Sequence, residues 1–228
     1  MAYTKETILK VTRKAYEVTN MYREKGLGSV KICISKGNRK IGRVMNVSLM
    51  PILSCGNCKE CSKLCYDIKA CVQYSGVIPA RVRNTLLAKE NRDVYFAEID
   101  KACSRRKVNK YFRWHVAGDI LDFDYLENMI KIARNHPEFK FWTYTKMYGI
   151  VNEYCEKYGK ENIPSNLTIL FSEWRGMPLD NPFNFPIFTV RFKGEKAPKM
   201  HCCPGNCDIC KANGHGCPNG ESSYVDEH

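Results

Sequence analysis

Apolar positions in the first 25 residues recur three or four apart. Ile8, Val11, Ala15, Val18 and Tyr22 form one stripe, and Gly26 follows. That period predicts an amphipathic helix over 4–25 with a glycine stop. The pattern then turns to alternation: Val30, Ile32 and Ile34 interleave with polar neighbours, and Lys36-Gly37-Asn38-Arg39 separates them from 40–49, which predicts a β-hairpin. Residues 51–71 carry cysteine, glycine and lysine without a period and read as a loop. Pro79 opens a helix that runs through Leu86 and Leu87 toward Ala102.

Strand and helix patterns alternate from there on. Strand 110–117 ends at Gly118-Asp119, helix 122–136 is closed by Pro137, and strand 139–145 leads to helix 147–158 and Gly159; strands 167–172 and 185–192 follow. Alternation of this kind predicts parallel strands with helical crossovers, here an α/β fold with an incomplete (β/α) barrel behind an N-terminal helix and hairpin. Beyond Pro198 the chain is rich in Gly, Pro, Asn and Cys without a period, and 221–228 reads as a loose tail. The chain thus divides into an α/β domain over 1–197, which includes the cysteine loop 51–71, and a cysteine-rich metal-binding segment over 198–228.

A length of 228 residues, 44% hydrophobic and 26% charged, suits one buried core and excludes wholesale disorder. No run approaches the ~18 apolar residues of a membrane span, and the N-terminus holds no signal-like apolar stretch, so a cytoplasmic, non-membrane protein is expected. Thirteen cysteines are then an odd number of thiols in a reducing compartment, which points to metal binding or catalysis instead of disulfides. Charge is uneven. Residues 1–45 hold eleven Lys or Arg against three Glu, which is +8 of the net +12, the electrostatic footprint of a DNA- or RNA-binding surface or of a solvated basic face.

Ten of the cysteines fall in two stretches. Cys55, Cys58, Cys61 and Cys65 are spaced Cys-x2-Cys-x2-Cys-x3-Cys, with Cys71 behind them; Cys203, Cys207, Cys210 and Cys217 are spaced Cys-x3-Cys-x2-Cys-x6-Cys, with Cys202 adjacent. Short spacers let a loop turn several sulfurs inward onto one centre. The first spacing is that of bacterial ferredoxins, which favours one or two [4Fe–4S] clusters; zinc held by paired Cys-x2-Cys knuckles is the alternative. Cys33, Cys103 and Cys155 lie in predicted regular elements and read as core.

Ligands of parallel α/β folds bind at the C-terminal ends of the strands. Those ends carry Arg113, His115 and Asp119 after the first strand of the alternating series, Lys146 after the next, and Glu173 after the third. Alone, His115 reads as a satisfied core histidine and Lys146 as a helix-flanking charge; their repeated placement at strand exits makes them site candidates.

A strand, a cysteine loop, a helix, and a strand ending in Gly plus an acid make an order of parts similar to radical S-adenosylmethionine (SAM) barrels. That similarity implies cluster ligation by the first four cysteines and a contact from Asp119 to the SAM ammonium. It leaves His115 as an acid/base or polar contact, with Lys146 and Arg113 as anion contacts and Glu173 as a further substrate contact. The Cys-x3-Cys-x2-Cys spacing of those enzymes occurs here in the second stretch, at Cys203, Cys207 and Cys210.

Over roughly 46–217 the chain resembles the phage gene product 88 family. The resemblance rests on Asn46-Val47-Ser48-Leu49-Met50-Pro51, Cys65-Tyr66, the run from Arg113 to Asp119, Thr145-Lys146 and the closing cysteines. It implies a phage or mobile-element origin and a cysteine-bound centre. Two functions are expected from the whole: an iron–sulfur protein with a radical-SAM-like site, or a nucleic-acid-binding protein whose metal centres brace its loops.

Overall fold

A computed structural model describes residues 3–56 and 60–227. Seven strands form one sheet: β1 (Met45–Asn46), β2 (Tyr111–Arg113), β3 (Lys140–Thr145), β4 (Leu167–Ser172), β5 (Ile187–Arg191), β6 (His201–Cys202) and β7 (Ser223–Asp226). Their order is β1-β2-β3-β4-β5-β7-β6, every neighbouring pair is parallel, and the sheet curls into a half-barrel. The expected α/β fold with an incomplete barrel is therefore present.

Helices α1 (Lys5–Glu24), α2 (Tyr66–Gln73), α3 (Val77–Glu90), α4 (Arg92–Arg105), α5 (Phe123–Asn135), α6 (Tyr148–Tyr158) and α7 (Cys207–Asn213) complete the fold. Local chemistry sets several of their ends. Thr4 caps α1 by accepting from the Thr7 amide, and Asp122 caps α5 by accepting from the Tyr125 amide. The long helix expected after Pro79 is two helices, broken at Asn91, whose φ of −148° and ψ of 59° leave the helical region. Among the described residues no helix is long and apolar enough to cross a membrane.

Register sorts the strand residues onto two faces. Phe112, Trp114, Phe141, Ile169 and Phe171 pack with Phe96 and Ile99 of α4, Tyr125 and Met129 of α5 and Val151 of α6 in the main core. Val44, Trp142 and Leu170 point the other way, where Tyr111, Tyr144 and Phe188 surround Cys207 and Cys217. A parallel sheet needs both faces covered, and here helices cover one while the C-terminal segment covers the other. A third cluster joins Val11, Ala15 and Val18 of α1 to Ile68 of α2 and Val82 and Leu86 of α3. Cys103 and Cys155 are buried in the main core, as expected; Cys33 is only half-buried.

Two expectations are corrected. No hairpin forms over 30–49: only the single bridges Ser35 to Asn46 and Asn38 to Gly42 are antiparallel, and β1 joins β2 in parallel. The reason is Asn84 on α3, which takes over the pairing a partner strand would supply. Its Oδ1 accepts from the Cys33 amide at 2.7 Å, and its Nδ2 donates to the carbonyls of Cys33 and Ser48 at 2.9 and 3.0 Å. Residues 221–227 are likewise no loose tail. β7 inserts between β5 and β6, with Arg191 donating to both Asp226 carboxylate oxygens at 2.6 and 2.7 Å, so the segment from 198 onward completes the same sheet.

Asn84 is 1% exposed, so removing its amide strands the part-buried amide and carbonyl of Cys33 and the buried carbonyl of Ser48. Each unpaired buried group costs about 1–3 kcal/mol. Asn84→Ala should lower the unfolding free energy by about 3 kcal/mol or more in urea titration; a loss below ~1 kcal/mol would show that 33–48 holds its course without α3.

Candidate metal centres and the strand-end site

The first cysteine loop leaves β1 and lies across the exits of β2 and β3. The Leu49 amide donates to the Ala117 carbonyl at 2.8 Å, and a Cβ on Gly118, whose φ is +89°, would lie 2.6 Å from Leu49 Cβ and 2.8 Å from Ser54 Oγ. Only glycine lets the end of β2 pass this close beneath the loop. Further along, Gly56 packs so tightly on Met147 that a Cβ would fall 2.8 Å from its sulfur.

Cys55 and Cys61 are half-buried in this loop. Cys65 precedes α2 and its thiol is pushed up to about 11, first by burial, with Asp67 and Cys55 adding to it. Cys58 lies outside the described residues. Cys71 is not part of the loop at all: it is buried in the α1–α2–α3 cluster, and burial raises its thiol to about 12. A thiol so held is protonated and inert.

Tyr148, the first residue of α6, marks where loop and strand ends meet. Burial raises its phenol to about 12, and Asp119, Glu173 and Cys61 each add to the rise. Its hydroxyl donates to the Ser172 carbonyl. The Lys146 ammonium donates to Ser172 Oγ at 3.1 Å and stands 5.6 Å from the Trp174 ring centre. Lys146, Glu173, Asp119 and the first loop are thus brought together. Tyr148 and Ser172 were not singled out in the sequence, although Ser172 ends β4 and Tyr148 stands three residues past β3.

Asp119 is 6% exposed and its oxygens are already engaged. Oδ1 accepts from Thr145 Oγ1 at 2.6 Å and from the Ile120 amide at 2.8 Å, while Oδ2 accepts from the Lys146 amide at 2.9 Å. Burial raises its carboxyl and these hydrogen bonds oppose the rise. The residue clasps the exit of β2 to that of β3. It does not cap α5, since Asp122 does so while paired with Arg92.

His115 faces the helices instead of the strand-end cluster. With φ at +50° the chain leaves β2 in a left-handed turn that sends the ring to Tyr125 OH at 2.9 Å and Thr143 Oγ1 at 3.3 Å. Burial lowers its imidazole to about 3. It is neutral at physiological pH.

Arg113 points into the half-barrel, its guanidinium 4.6 Å from the Tyr144 ring centre. The C-terminal thiols lie beside it. Burial raises Cys207 and Cys217, opposed in Cys207 by the Arg113 charge and in Cys217 by hydrogen bonds from Tyr144 and Ser223 before that charge. Cys210 is pushed up to about 11 by burial and by the neighbouring Cys203, Cys207 and Cys217. His201 Nε2 stands 3.5 Å from Cys210 Sγ and its ring stacks on His215, in an open groove of about 600 Å³. Cys202 is exposed on β6. Among the described residues no three His, Cys, Asp or Glu side chains converge closely enough to hold a metal ion. Arg113 Nε and Trp142 Nε1 are buried without a hydrogen-bond acceptor among those residues.

Two outcomes follow from this geometry. Asp119→Ala should cost about 3 kcal/mol or more of stability by stranding three donors, against ~0.5–2 kcal/mol for a helix cap, and denaturant unfolding distinguishes the two. For His115 the folded value lies below the ordinary 6.5, so its contribution is present above pH 6.5 and is lost as pH falls toward about 3. Between pH 6.5 and about pH 4.5 the wild type should lose roughly 2–3 kcal/mol that a His115→Gln variant does not lose; parallel stability curves would mean the imidazole charges without cost.

Comparison with known proteins places the chain in a family. The family model described as "Gene product 88" matches residues 2–176. The "Gene 88 protein" of Mycobacterium phage L5 is 39% identical over 51 residues, covering 22% of this chain and 21% of that relative, so the match spans about a fifth of the relative's length. No solved structure matches the chain. The family match takes in β1, the first cysteine loop and the exits of β2, β3 and β4, and the chain belongs to the gene product 88 family.

Proposed function

We propose that the protein is an iron–sulfur protein with a radical-SAM-like site between the first cysteine loop and the strand ends. The observation that carries this reading is the half-barrel interior. Arg113 and Trp142 each leave a buried N–H without an acceptor on the face that holds Cys207 and Cys217. Unpaired buried donors beside thiols fit an anionic sulfur-rich group, which would accept from them and draw its charge balance from Arg113. The Cys-x3-Cys-x2-Cys spacing of Cys203, Cys207 and Cys210 favours an iron–sulfur cluster over one zinc ion.

Cys203, Cys207, Cys210 and Cys217 would hold the interior centre, and three of Cys55, Cys58, Cys61 and Cys65 the strand-end one, so that one iron would stay open for SAM. A reduced [4Fe–4S] cluster held there would supply single electrons, the chemistry that SAM cleavage needs. The chain's own groups at the strand ends suit a zwitterionic ligand: the Lys146 ammonium for a carboxylate and Glu173 for an ammonium. Asp119 serves as a positioning residue, since its bond to the Lys146 amide fixes where that lysine starts.

Protein isolated without oxygen should be brown and carry iron and acid-labile sulfide in near-equal amounts. Replacing Cys207 and Cys217 together by Ala should remove the interior iron and destabilise the fold, whereas replacing Cys55 and Cys61 should abolish SAM binding in calorimetry and spare the interior iron. Colourless protein with stoichiometric zinc would overturn the iron–sulfur reading. Fully iron-loaded wild type that takes up no SAM would overturn the SAM site alone.

A further inference from the structure

Basic residues of the N-terminal third divide between two elements with different neighbours. Lys10, Arg13 and Lys14 are exposed on α1, which packs on α2 and α3, and Lys14 is paired with Glu17. Lys36, Arg39, Lys40 and Arg43 are exposed on the loop between the bridge at Ser35 and β1, which packs on α7. Among the described residues, Lys36, Arg39 and Lys40 make no ion pair.

This loop is built, not slack. Asn38 Oδ1 accepts from the amides of Lys40 and Ile41 at 2.9 and 3.1 Å, Ile41 is 4% exposed, and the Cys207 amide donates to the Lys40 carbonyl at 3.1 Å. At Gly42, with φ at +66°, the backbone presses on α7 so closely that a Cβ would lie 2.1 Å from the Asp208 carboxylate. The loop encloses an open cavity of about 370 Å³ lined by Lys36, Asn38, Arg39, Arg43, Asp208 and two glycines. Asp208 offsets only part of their charge: its carboxylate pairs with Lys211, accepts from the Arg43 backbone amide and also bears on the Arg43 charge.

We propose that loop 36–43 is a contact site for the sugar–phosphate backbone of nucleic acid. Three exposed cations around a cavity whose one carboxylate is already paired with Lys211 match phosphate oxygens, and the fixed backbone reduces the ordering cost of binding. Choice of a polymer over a nucleotide rests on what the cavity lacks. No aromatic or apolar side chain lines it, so a base would find no stacking partner, and affinity must come from several phosphates along a strand. The net charge of +12 supplies the long-range attraction such a contact uses.

Fluorescence anisotropy of the full chain with a labelled random-sequence DNA duplex tests this. Binding should weaken steeply with salt, each phosphate contact contributing about −0.9 to the log–log slope. Reversing the loop together (Lys36→Glu, Arg39→Glu, Arg43→Glu) should flatten the slope by about 2–3 and weaken binding roughly 100-fold or more at about 0.1 M salt, while unfolding at the wild-type temperature. The charge-conserving set Lys36→Arg, Arg39→Lys and Arg43→Lys should bind like wild type, which separates loss of charge from loss of fold. Reversing Lys10, Arg13 and Lys14 instead should leave the loop's share of the slope in place. The proposal is overturned if wild type binds no duplex, if loop reversal changes nothing, or if only the α1 reversal abolishes binding. It is equally overturned if inorganic phosphate at matched ionic strength displaces the duplex far better than chloride, which would make the cavity a site for the free ion.

Discussion

A curled parallel sheet must be shielded from water on both faces, and the rest of this molecule is arranged around that requirement. Crossover helices α4, α5 and α6 shield the outer face with a core in which Phe112, Trp114, Phe141 and Phe171 are all but inaccessible. Among the described residues the inner face has no helix of comparable length. It is closed by the segment from His201 to Asp226, whose cysteines and short helix α7 lie on Trp142, Leu170 and Tyr144. A polar, glycine-rich segment therefore occupies a position that most folds give to aliphatic side chains. Arg113 and several thiols are buried there as a result, and buried polar groups require partners.

The same segment also fixes the edge of the sheet. β7 pairs with β5 on one side and β6 on the other, so strand pairing and the placement of Cys203, Cys207, Cys210 and Cys217 are one event. Through the Cys207 amide it further anchors the basic loop 36–43. Interior cysteines, sheet edge and loop are thus joined through one segment.

At the strand exits a smaller device has similar reach. Asp119 joins the end of β2 to the start of the turn after β3, Thr145 Oγ1 accepts in turn from the Met147 amide, and Met147 packs against the cysteine loop at Gly56. A carboxylate with three donors holds its geometry far better than one in water. Lys146, Tyr148 and the first cysteine loop consequently share one frame, with Glu173 bearing on it from β4 through Tyr148.

Much of this was legible in the chain. Periodicity, with stops at Gly26, Pro137 and Gly159, placed α1, α5, α6, β3 and β4 within a residue or two, because each buries a full stripe or face and is long enough to show its period. Spacing picked out both cysteine stretches, and the alternation of elements implied parallel strands before any pairing was known. What tertiary structure decided concerns partners distant in sequence. Asn84 replaced the hairpin, β7 arose from a four-residue run too short to carry a period, and Asp119 became a clasp because Thr145 and Lys146 arrive beside it across a crossover helix. His115 and Arg113, two residues apart at the end of one strand, were indistinguishable as charges in the sequence. A left-handed turn sends one ring into the helix-packed core, whereas pleating turns the other side chain toward the cysteines. Local pattern determines which residues want burial; only the folded sheet determines beside what they are buried.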